Sequence, residues 1–270
     1  MLKDITIGQY FPGQSAVHRL DPRMKIILTM LYIVALFVAD NFQGLLLSAV
    51  FAAAGYLISG IPLSMIRKSM KPVIPIIVFT AVLNMLFVEG REIFRLGFLK
   101  ITLEGVVLAV LMVTRIICLI AGSSLLTYTT SPIALTDAIE QLLAPLKRLK
   151  MPVHELAMMM TIALRFIPTL IEETDKIMSA QKARGADMES GGIMRRAKAL
   201  IPILIPLFVS SFRRADELAL AMECRCYHGD EGRTRMKQLR YAPRDFMALG
   251  MLAVLLVLVL LFNRIFPSMY

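Results

Sequence analysis

Long apolar blocks separated by short polar connections fill the first half of this chain, and one long polar stretch interrupts the second half. A bilayer core about 30 Å thick takes about 20 predominantly apolar helical residues, with a range of roughly 17 to 25. Five blocks predict spans: residues 24–39, 44–58, 72–88, 105–126 and 246–262. Asp21-Pro22 introduces the first, an aspartate to cap orphan amides followed by a proline suited to the first helical position. Asp40-Asn41 makes a tight hairpin between the first two. Pro72 and Pro75 fall in the first turn or so of the third, where proline costs least. Two further blocks, residues 156–171 and 199–212, are weaker. Arg165 and Pro168 interrupt one, while the other is short and contains Pro202 and Pro206, so both read as interfacial or protein-covered helices.

Between the fourth and fifth spans lie 118 residues, 128–245, with 18 basic and 14 acidic side chains. A stretch of this length should hold its own structure, which divides the chain into 1–127, 128–245 and 246–270. Ser131-Pro132 opens a helix ending near Lys150, Pro152 opens another running toward Gly185, and Gly191-Gly192 precedes a third reaching Tyr227. Such helices, apolar over part of their length and charged at their C-terminal ends, can face two environments at once. A weak repeat links the last two: a shift of 41 residues puts Asp175 on Asp216, Ala180 on Ala221 and Arg184 on Arg225, the pattern D-x4-A-x3-R. An arginine at a helix C-terminus is favoured by the macrodipole, and its fork binds carboxylates bidentately. These arginines are therefore either caps on solvated helix ends or docking groups.

Composition agrees with membrane residence. Hydrophobic residues make up 57% and charged residues 19%, against about half and about a quarter in soluble chains; the mean hydropathy is +0.68. The net charge of +10 reads mainly as an orientation signal. Lys3, Arg19, Arg23, Lys25, Arg67, Lys68, Lys71 and the basic residues of 128–245 fall on one side if there are five spans, and the positive-inside rule makes that side cytoplasmic. The N-terminus is expected inside, in a cell membrane. The opening MLKDITIGQY lacks a signal-peptide pattern, so the first span is expected to serve as its own insertion signal. Three cysteines, Cys118, Cys224 and Cys226, have no disulfide spacing.

Signatures of chemistry are missing. The chain has no G-x-x-x-x-G-K-[ST], H-E-x-x-H or G-x-S-x-G, and its three histidines are scattered. Cys224, Cys226 and His228 as a metal chelate is disfavoured, because steps of two on a helix point to different faces. No acidic residue lies inside a predicted span, which counts against a proton-driven carrier acting alone. Arg115, near the middle of the fourth span, marks either a functional site or a bond to carbonyls of neighbouring helices. A self-contained channel or carrier, and an intramembrane enzyme, are the other function classes in play.

Three long stretches carry a family resemblance: HRLDPRMKI at 18–26, ALRFIPTLIEETDKIMSAQKARGAD at 163–187, and FRRADELALAMECRCYHG at 212–229 followed by GRTR at 232–235. With these, the chain resembles the transmembrane coupling (T) component, EcfT, of energy-coupling factor transporters, over nearly its whole length. The resemblance implies an all-α integral membrane protein without catalysis or cofactor of its own, and no nucleic-acid partner. It implies that two X-Arg-X motifs, Ala183-Arg184-Gly185 and Cys224-Arg225-Cys226, dock on two ATP-binding-cassette subunits of the EcfA and EcfA′ type. ATP-driven closure of those subunits would then pass into the helices for vitamin or metal uptake. Met158, Met159, Met160, Leu204 and Leu207 would contact a membrane-embedded substrate-binding S component, methionine adapting to different partners; an ordinary methionine-rich core is the other reading. The second motif departs from the common Ala-Arg-Gly, and unequal motifs lean toward two different ATPases.

Overall fold

The computed structural model describes residues 10–96, 99–186, 192–229 and 238–265. Asp21 caps helix α1 (Pro22–Val38), its carboxylate accepting from the Arg23 amide. The chain turns at Asn41 into α2 (Phe42–Ser59), then runs through α3 (Leu63–Met70) and a 3-10 turn into α4 (Ile74–Phe87). A short antiparallel hairpin follows, β1 (Glu92–Leu96) against β2 (Leu99–Thr102). Next come α5 (Leu103–Thr129), α6 (Pro132–Leu142), α7 (Val153–Ala183), α8 (Ile193–Glu223) and α9 (Pro243–Ile265). The fold is the all-α membrane class that the apolar blocks predict. The hairpin is a small addition in the loop after α4.

The helices differ from expectation in three places. Among the described residues, five segments are long and apolar enough to cross a membrane: α2, the run Ser64–Phe87, α5, α7 and α9. α1 is helical where a span is expected but has 17 residues, the lower end of spanning length. α7 joins the set because it continues unbroken for 31 residues through Pro168, where the sequence suggests an interruption. The helix expected to reach Lys150 stops at Leu142 and gives way to a 3-10 turn, Ala144–Leu149, with Pro145 in its first turn.

The described residues fall into two compact units, one running to Leu135 and resuming at Leu239, the other lying between them. In the first, α1, α2, α5 and α9 bury a shared apolar core that includes Tyr32, Leu36, Leu45, Leu111, Leu252 and Val259. Gly122 lets α5 approach α1, because a Cβ there would sit 2.4 Å from the Tyr32 ring. α4 packs along α5 and buries none of its residues within the chain.

Polar clasps close both ends of this unit. A helix leaves its last carbonyls without internal partners, and lipid offers none. At one end, the buried Lys25 ammonium donates to the Thr129 carbonyl, the last of α5, at 2.8 Å and to the His18 carbonyl at 3.1 Å. The Phe11 amide donates to the Tyr128 carbonyl at 2.9 Å. The buried Asp245 carboxylate accepts the Asp21 amide at 2.9 Å and the Ala242 amide at 2.7 Å, joining α1 to the start of α9. Burial favours a protonated Asp21, yet the Arg23 bonds outweigh it and hold the carboxyl below its ordinary range. Arg23 also stacks on Tyr241, 3.9 Å from the ring centre. At the other end, Asn263 donates to the Val38 carbonyl, Asn41 to the Phe262 carbonyl, and Arg115 to the Ala39 carbonyl at 2.5 Å. Of the two roles open to Arg115, the structure displays the bond to a neighbouring helix end.

Replacing Lys25 by methionine strands the Thr129 carbonyl at the end of α5 and the His18 carbonyl in the turn before α1, and removes a buried charge from near Asp245. Loss of one member of a buried charged network costs about 3 to 5 kcal/mol. We expect K25M to lower stability by that order in a detergent-solubilised unfolding titration. Arg67→Met, at an exposed site, should stay within about 0.5 kcal/mol.

Candidate functional site

α7 and α8 pack against each other in the second unit, and each is 31 residues long. Their bonds fix the sense of the packing. Tyr227, just past the end of α8, donates its hydroxyl to Met158 Sδ near the start of α7 at 2.9 Å. Gln181, near the end of α7, donates to the Pro202 carbonyl early in α8 at 3.3 Å. The helices are therefore antiparallel. The Gln181 bond has a local cause: Pro206 has no N–H, so the Pro202 carbonyl lacks its helical partner.

Between these contacts lies a charged clasp. Arg214 Nη2 donates to Glu173 Oε2 at 2.9 Å, the Ser210 hydroxyl donates to the other Glu173 oxygen, and the guanidinium lies 6.0 Å from the Phe166 ring centre. Glu173 and Arg214 are 41 residues apart, the interval of the sequence repeat. Positions equivalent under the repeat thus meet each other, as they do across a local two-fold axis. Arg184 and Arg225 each follow this clasp by 11 residues, about 16 Å at 1.5 Å per residue, on arms that point in opposite directions.

Both arms end in the same turn. After α7, Gly185 is left-handed at φ 85, its amide donates to the Lys182 carbonyl, and the Ala186 amide reaches back to Gln181. After α8, Cys226 is left-handed at φ 55, its amide donates to Glu223, and the Tyr227 amide reaches back to Met222. These are matched Schellman caps, in register under the 41-residue shift, with the arginine immediately before the left-handed residue each time. Glycine takes that conformation freely, whereas a side chain there costs roughly 1–2 kcal/mol. Ala183, Arg184, Gly185, Cys224, Arg225 and Cys226 are all exposed, and neither arginine is in an ion pair among the described residues. Two guanidinium forks are thereby presented on rigid helix ends. Among the described residues no group of three His, Cys, Asp or Glu side chains could hold a metal ion.

The apolar candidates divide. Met159, Met160 and Leu204 are exposed; Met158, which accepts from Tyr227, and Leu207 are half-buried. The wider exposed face of α8 runs through Ile201, Leu204, Ile205, Phe208, Val209 and Phe212. Sequence reasoning picked Leu204 from this face and missed the rest, although their steps of three and four residues were readable. A contiguous exposed apolar face marks an interaction or membrane surface.

The family model described as CbiQ, cobalt transport protein, matches residues 13–236. Energy-coupling factor transporter transmembrane protein EcfT of Ruminiclostridium cellulolyticum is 55% identical over 266 residues, 98% of this chain and all of that one. The chain belongs to the EcfT family. An EcfT from Thermosediminibacter oceani is 58% identical over 94% of this chain and 97% of its own, and one from Bacillus subtilis is 49% identical over 96% and 98%. EcfT relatives are thus matched over nearly all of their length, and the helices long enough to span make this EcfT-family chain a multi-pass membrane protein.

The unequal caps give a measurable difference. Cys226→Gly should relieve the left-handed strain and raise stability by about 1 kcal/mol, while Gly185→Val should lower it by about 1–2 kcal/mol. Chemical unfolding of the detergent-solubilised chain, followed by helical circular dichroism, measures both.

Proposed function

We propose that this chain is the coupling subunit of an energy-coupling factor transporter, passing ATP-driven motion from two cytoplasmic ATPase subunits to a membrane-embedded S component. The observation that carries the reading is the pair of matched caps, each presenting an exposed arginine at the same position of the same turn. A solvated helix end needs no such match between two arms. Each arginine docks in a groove of one ATP-binding-cassette subunit, its fork against acidic side chains. Hydrolysis belongs to those partners, and this chain works without a cofactor. The N-terminus, the basic loops and the arm tips lie in the cytoplasm, on the positive-inside rule. Family membership supports the assignment, and the relatives' names supply the word transporter.

The S component rests on Met159, Met160 and Leu204, extended along the exposed face of α8 to Phe208 and Phe212. Substrate choice, vitamin or metal, resides in that partner. The difference between Ala183-Arg184-Gly185 and Cys224-Arg225-Cys226 favours two non-identical ATPases.

Arg184→Glu and Arg225→Glu place like charge against an acidic groove. Loss of a buried charged contact costs roughly 2–5 kcal/mol, at least ~30-fold in affinity. We expect each variant to insert normally, to retain less ATPase on co-purification and to reduce uptake in cells. Unchanged co-purification and uptake in both would remove the docking role.

A further inference from the structure

An apolar cavity of about 290 Å³ lies among α1, α2, α5 and α9. Along α1 its wall runs from Lys25 through Leu28 to Tyr32, about 10 Å at 1.5 Å per residue. The Tyr32 hydroxyl turns away to the Ser48 carbonyl, so that end of the wall is apolar. At the rim, Ile58 and Met251 are exposed, and the cavity opens sideways between α2 and α9 on the apolar flank of the unit.

Positive charge outweighs negative at the Lys25 end, where Lys25, Arg19 and Arg244 stand with two buried carboxylates, Asp21, already paired with Arg23, and Asp245, which accepts backbone amides. Lys25 lines the cavity and donates two of its three N–H groups to the His18 and Thr129 carbonyls; among the described residues the third has no acceptor. Arg244 is exposed and one turn before Ala248, a lining residue on the same face of α9. Arg19 is exposed between the lining residues Val17 and Leu20. At about 290 Å³ the cavity is at the small end of ligand-sized pockets, roughly 300–1,000 Å³, a size that suits a slender hydrocarbon chain. An apolar cavity with exposed lining residues on α2 and α9 and a net positive end is complementary to an amphipathic anion.

We propose that this cavity holds one acyl chain of an anionic phospholipid. Its phosphate lies against Arg244 and Arg19, and its glycerol ester accepts from Lys25. The bound lipid fills the space between α1 and α9 and joins the charged clasp at their ends.

Native mass spectrometry of the full chain, incubated in detergent with phosphatidylglycerol or phosphatidylcholine, tests this. The unsubstituted chain should retain one phosphatidylglycerol in preference to phosphatidylcholine by about tenfold or more, the order expected of two basic side chains at an anionic headgroup. Arg19→Gln with Arg244→Gln, both at exposed positions that do not threaten folding, should abolish the preference and leave the weaker binding common to both lipids. Ala54→Phe, which fills the rim at another exposed lining position, should lower retention of both. Equal retention of the two lipids by the unsubstituted chain, a preference that survives loss of both arginines, or full retention by a folded Ala54→Phe chain would each overturn the proposal. So would an absence of retained lipid, which would leave the cavity to an apolar side chain from a partner subunit.

Discussion

Every helix in a bilayer ends in carbonyls that its own backbone cannot satisfy, and the way this chain meets that demand determines the arrangement of its membrane unit. Lys25 is the central case: a buried cation at the start of α1 closes the end of α5 and sits beside the carboxylate that starts α9. Lys25 and Asp21, four residues apart, therefore tie the start of α1 to α5 and to α9, helices far apart in sequence. The opposite end uses neutral amides and one arginine for the same task, with Asn263, Asn41 and Arg115 on the carbonyls of Val38, Phe262 and Ala39. Between the clasps the core needs only apolar packing, and Gly122 sets how closely α5 approaches Tyr32.

The second unit applies the same chemistry to a different end. Here the Schellman turns satisfy the terminal carbonyls internally, so the arginine side chains are not consumed as caps and stay available outward. The Glu173–Arg214 clasp is the internal counterpart, a charged pair inside the two-helix packing that sets the register of one arm against the other.

Much of this was readable in the residues. Apolar block length marked the membrane helices, and Asp21-Pro22 marked the start of α1. D-x4-A-x3-R located both arm tips, because a repeat in sequence became a repeat in cap geometry. The clasps were not readable. HRLDPRMKI stood out as a stretch, yet nothing local says that Lys25 reaches Thr129 or that Asp21 meets Asp245, since those partners lie more than a hundred residues away. Pro168 misled in the other direction: a proline lowers helix propensity locally, but packing against α8 carries α7 through it. The break at Leu142 has its cause in Pro145, which falls in the first turn of the 3-10 segment that follows and does not continue the helix. For the exposed face of α8, methionine content drew attention toward Met158, while steric position decided that Leu204 and Phe208 remain outside.

The matched reach of the two arms has a mechanical consequence. Arg184 and Arg225 stand equally far along their helices from the Glu173–Arg214 clasp, so a rigid turn of the crossing about that clasp would carry both tips through equal distances. A given displacement at either tip turns the crossing through the same angle. Shortening one arm by a single helical turn would upset that balance without altering any contact at the tip itself.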